Sequence, residues 1–174
     1  MRMEIRIAGT GGMGVVLAGV VLGNAAVTHG GLDAVQTQSY GSEARGTAAK
    51  SEVIISTDKI RYPKVRKSDF FIAMSQKALE MYLKDAKEGS VVIIDPDLVS
   101  DDGLEGFQVI RVPAMRTADE LGLRLVSNMV MLGAFVKKSN VMTMESLERS
   151  LADMFKGKAL ELDIKAAHAG AALV

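Results

Sequence analysis

The spacing of hydrophobic and polar positions changes several times along the chain. Residues 3–8, MEIRIA, alternate and stop at glycine, which predicts a first strand. Residues 13–29 then place the small residues Ala18, Gly19, Gly23 and Ala26 on neighbouring turns, which predicts a helix able to lie close against a sheet. After Gly30 and Gly31, DAVQTQ (33–38) reads as a second strand, SYGSEARGTA (39–48) as a polar loop punctuated by glycine, and KSEVIIS (50–56) as a third strand. DFFIAM (69–74) and SVVIID (90–95) are short apolar runs with a helical stretch, 75–87, between them; this is the strand–helix–strand unit of a parallel sheet. FQVIRVP (107–113) predicts one more strand.

Residues 117–138 predict the longest helix, with Thr117 as its N-cap, acids near its start and lysines at its end, as the helix dipole favours. A further helix starts near Thr143, with Glu145 and Glu148 on its polar side, and the alanine-rich tail to Val174 also predicts helix. No internal repeat or linker interrupts the pattern. The expected fold is α/β: a single three-layer domain over 1–174 with an open, mostly parallel sheet and helices on both faces, Rossmann-like, with a helical C-terminal segment from about 143.

Composition narrows the function classes. The 21 basic residues offset 21 acidic ones, so the charge balance calls for neither nucleic acid nor a membrane surface. The chain has no cysteine, which excludes disulfides, thiolate zinc sites and cysteine-held iron–sulfur clusters on this chain. Residues 7–32 hold no Asp, Glu, Lys or Arg and invite a membrane reading, but the eight glycines within them argue against a continuous spanning helix. The expected location is cytoplasmic.

The loop IAGTGGMGVV (7–16) satisfies G-x-G-x-x-G through Gly9, Gly11 and Gly14, with Gly12 beside them. Such a loop gives a tight turn, close backbone approach and free amides at a helix N-terminus. A dinucleotide site also needs an acid at the end of the second strand, to accept from a ribose hydroxyl. Asp33 has a suitable spacing but begins that strand, which ends in Gln38, Ser39 and Tyr40. A stand-alone NAD- or FAD-binding oxidoreductase remains an alternative on fold analogy, and a ligand-free βα turn is another.

SYGSEARG (39–46) brings an aromatic hydroxyl, a carboxylate and a guanidinium together between glycines. An open α/β sheet would put it on the same edge as the glycine loop, where ligands and partners meet the carboxyl ends of strands. With GTGGMGVVLAGVVLGNAA (9–26), SYGSEARGTAAKSEVIIS (39–56), YPKV (62–65), the D-x-x-I-A strand at 69–73 and NMVMLGAF (128–135), the chain resembles the gamma subunit of 2-oxoacid:ferredoxin oxidoreductases. The resemblance covers roughly residues 4–136.

The resemblance implies a companion subunit for alpha and beta chains, with a ferredoxin-like delta chain as a further partner and ferredoxin as acceptor of the complex. It implies that thiamine diphosphate, magnesium and iron–sulfur clusters sit on the partners, with none bound by this chain alone, and that coenzyme A is co-substrate of the complex. This chain then carries no catalytic residue and no metal ligand of its own. Its cofactor-facing or interface residues would be Gly9, Gly11, Gly12, Gly14, Ser39, Tyr40, Gly41, Glu43, Arg45, Gly46 and Asn128. Met13 stands where the family usually has glutamine, and Thr47 follows Arg45-Gly46 where a second glycine is usual. ARGTAAKSEVIIS and IRYP look most like the 2-oxoglutarate type; pyruvate and 2-oxoisovalerate types are the alternatives, and a homodimer of the isolated chain is left open.

Other features have simpler readings. KIRYPKVRK (59–67) holds five basic residues and no acid; it reads as a solvated loop or an aid to coenzyme A phosphates. Asp95 and Asp97 in IIDPDL read as an Asp-Pro turn without a metal. Asn128 interrupts an apolar helix face, either hydrogen-bonding into the neighbouring loop or satisfied within the core, and His29 caps a helix end.

Overall fold

β1 (Arg2–Thr10) is buried through most of its length because it lies inside the sheet, with neighbours on both sides and helices or loops on both faces. The computed structural model describes residues 1–40 and 48–174. Beside β1 the sheet contains β2 (Asp33–Ser39), β3 (Ala48–Ser56), β4 (Ser68–Ala73), β5 (Ala86–Ile94) and β6 (Gln108–Arg111), in the order β2-β3-β1-β4-β5-β6. The pairs β1·β4, β4·β5 and β5·β6 are parallel. β3 alone is reversed, wedged between β1 and β2 and antiparallel to both. Only residues 40–47 connect β2 to β3, too few for the crossover that a parallel neighbour needs. Every strand anticipated from sequence is present; the reversal of β3 follows from that short connection.

One face of the sheet carries α1 (Val15–Asn24), which continues through a π-helical turn to His29, together with α3 (Ala114–Glu120), α4 (Ser127–Ser139), α5 (Met144–Met154) and α6 (Gly157–Ala171). The larger core lies here, around Ile5, Ile7, Ile55, Ile72 and Phe135. The other face carries α2 (Gln76–Tyr82) and the segment holding Val99 and Leu104, over Phe71, Val92 and Ile94. Among the described residues no helix is long and apolar enough to cross a membrane.

The helix expected over 117–138 is two helices. α3 already begins after Pro113, so Thr117 is not an N-cap; its hydroxyl donates to the Pro113 carbonyl within the helix, at 2.8 Å. Gly122 then adopts φ +95°, a left-handed conformation that a β-carbon disfavours, and the chain resumes as α4 at Ser127. The start near Thr143 agrees with the structure, where its hydroxyl accepts from Ser146 N at 3.1 Å. His29 does more than sit at a helix end. It pairs with Asp153 of α5 at 2.7 Å, and with Asn24 it holds that carboxyl below its ordinary pKa.

α4 is apolar on nearly all sides because α6 crosses it with backbones in contact. A β-carbon on Gly133 would stand 1.8 Å from the Ala167 carbonyl oxygen, and one on Gly170 would stand 1.8 Å from that of Val130. On the other face of the sheet Arg6 is 2% exposed, opposite Glu52 in register, with Nε and Nη2 at 2.7 and 2.6 Å from one carboxylate oxygen. Its remaining nitrogen, Nη1, donates to the Asp85 carbonyl at 2.8 Å, so the buried guanidinium is spent on structure.

Asp163 of α6 is 8% exposed, and its carboxylate has no hydrogen-bond or ion-pair partner among the described residues. Burial raises its pKa from 3.8 to about 6. Because the folded state holds this proton more tightly than the unfolded chain, stability falls as pH rises from about 4 through about 6 and stays lower above. Asp163→Asn should therefore stabilise the protein at pH 8 by about 1 kcal/mol, solvent access having trimmed the effect, and make no difference near pH 4. Thermal melts of the two proteins at both pH values check this.

Candidate functional site

The carboxyl ends of β1 and β2 meet at one edge, since Gly9 and Ser39 lie opposite neighbouring residues of β3, Ala49 and Lys50. β1 ends at Thr10 and the chain turns through Gly11 and Gly12, with Met13 N donating to the Thr10 carbonyl at 3.3 Å. Gly12 has φ +86° and Gly14 φ +72°; Gly14 is the residue from which α1 starts, with no side chain capping the helix. The first-turn amides of α1 are thus left for another acceptor. Met13 turns inward, where its sulfur accepts from the Thr10 hydroxyl at 3.4 Å and its side chain packs on the core.

The glycines play different parts. A β-carbon on Gly9 would press on Met13, Met74 and Val15 at 3.0–3.2 Å, so Gly9 serves packing. Gly11 has open space around it and is exposed. Gly14 is restricted twice, by its φ and by Asn128, whose Nδ2 would lie 2.4 Å from an added β-carbon. That nitrogen donates to the Gly14 carbonyl at 3.1 Å, while Oδ1 accepts from Met129 N at 2.8 Å. Asn128, 3% exposed at the start of α4, therefore holds the glycine loop from below and does not enter the cleft. Of the two sequence readings of Asn128, the bond into the loop is the one present.

The cleft above the loop has a volume of about 320 Å³. Gly11, Gly12, Gly14, the first turn of α1 and Tyr40 line it. Tyr40 is 66% exposed and its hydroxyl accepts from Gln38 Nε2 at 3.3 Å. Among the described lining residues Tyr40 is the one ionisable group, so the walls offer backbone amides, a phenol and the apolar Val15, Val16 and Leu17. This suits a bound anionic or amphipathic ligand better than proton transfer. Thr10, Val15, Val16, Leu17 and Ala49 were not anticipated as lining; for Thr10, between the glycines, and Val15 to Leu17, just after them, adjacency to the loop is the signal that points to them. Ser39 ends β2 opposite Lys50, beside the cleft. Gly41, Glu43, Arg45 and Gly46 lie outside the described residues.

Asp33 is at the opposite edge of the sheet, paired in register with Ser56, and its carboxylate accepts from Ala34 N at 3.0 Å and Ile60 N at 2.8 Å. It is a loop clamp, far from any ribose held over the glycines. The KIRYPKVRK segment lies at that same far edge, roughly 26 Å along β1 from the cleft, so it cannot assist phosphates bound there. Asp95 behaves as its turn requires: one oxygen accepts from Asp97 N at 3.0 Å and the other from Met115 N at 2.9 Å, capping α3, while Asp97 pairs with Arg116. Among the described residues no cluster of three His, Asp or Glu side chains could hold a metal ion.

The family model for pyruvate ferredoxin/flavodoxin oxidoreductase matches residues 4–173. The 2-oxoglutarate synthase subunit KorC of Methanothermobacter marburgensis is 46% identical, with 100% of this chain and 97% of that protein covered. The solved keto/oxoacid ferredoxin oxidoreductase gamma subunit of Geobacter sulfurreducens superposes with TM-score 0.90 at 37% identity, covering 99% of this chain and 96% of that one. A 2-oxoglutarate:ferredoxin oxidoreductase from Magnetococcus marinus, solved with 2-oxoglutarate, coenzyme A and succinyl-CoA bound, matches with TM-score 0.87 at 27% identity; 99% of this chain aligns with 31% of that longer chain.

Proposed function

This chain belongs to the pyruvate ferredoxin/flavodoxin oxidoreductase family, and we propose that it is the gamma subunit of a 2-oxoglutarate:ferredoxin oxidoreductase whose glycine-loop edge faces coenzyme A. In such a complex 2-oxoglutarate and coenzyme A give succinyl-CoA, carbon dioxide and a proton, and two electrons pass to ferredoxin. The chain's donor set does not fit the redox or thiamine groups. There is no cysteine for a cluster, and the described residues hold no acidic cluster for magnesium. Alpha and beta subunits carry that chemistry, a delta chain carries clusters, and this subunit supplies a surface.

The observation that carries the reading is the cleft where Tyr40 meets the uncapped start of α1 over Gly11 and Gly12. Free amides at a helix N-terminus favour a phosphate, and the neighbouring Val16 and Leu17 offer apolar contact to the rest of the ligand. The 2-oxoglutarate assignment rests on 46% identity to the KorC subunit across the whole of this chain. The purified complex assayed with 2-oxoglutarate, pyruvate and 2-oxoisovalerate tests it: kcat/KM should be highest for 2-oxoglutarate by about tenfold or more. A preference for either other acid would overturn the substrate and leave the family intact.

A further inference from the structure

The segment 57–67 has neither helix nor strand, yet it is held at both ends and in the middle. Arg2 of β1 donates to the Tyr62 carbonyl at 2.7 Å and to that of Lys64 at 3.4 Å. Asp33 of β2 accepts from Ile60 N at 2.8 Å, Glu4 of β1 accepts from Arg66 N at 3.1 Å, and Ser56 accepts from Asp58 N at 3.0 Å. The Asp33 and Glu4 carboxylates are thus engaged with the loop's own amides, whereas Asp58 is exposed at the cleft. Lys59, Arg61 and Lys64 are exposed, and none of their side-chain nitrogens has a hydrogen-bond or ion-pair partner among the described residues. With Arg2 and Arg66 they line a cleft of about 670 Å³ in which Glu4 and Asp58 are the only acids among the described residues.

We propose that this cleft is a docking site for a carboxylate-rich segment of a partner polypeptide. The groups left free decide what can bind. A phosphate cradle works through unpaired backbone amides, and here those of Asp58, Ile60 and Arg66 are already satisfied. Recognition falls to long side-chain cations spread from Lys59 to Arg66, a pattern that complements several separated carboxylates and not one compact anion. A nucleic acid would want an aromatic platform; Tyr62 is the one aromatic residue lining the cleft, and the Arg66 guanidinium stacks on its ring at 4.5 Å. The clamps make the site rigid before binding, which reduces the ordering cost. The site is at the opposite edge from the glycine loop, so both surfaces can be occupied at once.

The test uses the full chain and a fluorescent poly-L-glutamate peptide, followed by anisotropy at low ionic strength. Lys59→Gln, Arg61→Gln and Lys64→Gln combined should weaken binding roughly tenfold or more with an unchanged melting temperature, because these exposed side chains make no hydrogen bond or ion pair among the described residues. Raising salt to about 0.15 M should weaken binding to the native chain in the same direction. Binding that the triple variant leaves unchanged, or no binding by the native chain, overturns the proposal. So does tighter binding of tripolyphosphate, which would mark a small-anion site, or of a single-stranded RNA, which would mark a nucleic-acid surface. Leu17→Asp, at the other edge, should leave peptide binding intact; its failure to do so would also count against the site.

Discussion

Gly133→Ala is expected to cost the protein about 3 kcal/mol or more and to lower its melting temperature by roughly 10 °C. The reason is the contact between α4 and α6. The added β-carbon would stand 1.8 Å from the Ala167 carbonyl oxygen and 2.5 Å from its carbon, both backbone atoms of the facing helix. No side chain can swing aside, so one helix must move. Both helices pack into the larger core, so the displacement spreads to Val130, Phe135 and Ala166. Gly106→Ala is the matched control, because nothing lies within 4 Å of its added carbon. That variant should stay within about 0.5 kcal/mol of the native protein. Equal melting curves for both variants would mean that the close helix crossing is wrong.

Gly14→Ala should act on the site more than on the fold. An alanine at φ +72° carries a strain of about 1–2 kcal/mol, and its β-carbon would stand 2.4 Å from Asn128 Nδ2. Asn128 can turn away only by giving up its bond to the Gly14 carbonyl, leaving buried polar groups unpaired at a cost of about 1–3 kcal/mol. The loop and the first turn of α1 would shift, and with them the amides proposed to meet coenzyme A. In the assembled complex the coenzyme A concentration for half-saturation should rise about tenfold or more, while kcat at saturation changes less. Asn128→Ala combined with Gly14→Ala should be milder than the sum of the two single changes, because the first removes the atom that the second collides with. Additive losses would show that the two residues do not act through one contact.

Much of this was legible before any coordinates, for physical reasons that differ by element. Strands 69–74 and 90–95 are apolar runs bounded by turn residues, and a buried parallel sheet demands such runs. The expectation of a mostly parallel sheet did not single out β3, whose reversal the short 40–47 connection explains. The boundary of α3 was missed because Thr117 looked like a cap, whereas the true punctuation is Pro113, just before the periodic stretch, and Gly122, inside it. Asn128 was noticed as a polar interruption, but its partner, Gly14, is 114 residues away and only packing reveals it. The basic run 59–67 was read as a solvated loop or an aid to coenzyme A phosphates. Its exposure is real; the clamping by Asp33, Glu4 and Arg2 was invisible because those residues come from β2 and β1, which only the sheet, with β3 between them, brings to the same end. Asp33 shows the converse, a suitable spacing for a ribose acid placed at the wrong edge.

The central proposal is a non-catalytic subunit that governs how coenzyme A reaches chemistry held elsewhere. The direct measurement is 2-oxoglutarate-dependent reduction of ferredoxin, titrated with coenzyme A, by this chain alone, by its partner subunits alone and by the two combined. No turnover by this chain alone, together with a clear fall in half-saturating coenzyme A when it is added to the partners, is the predicted result. Turnover by this chain alone, or coenzyme A saturation that is the same with and without it, would contradict the account.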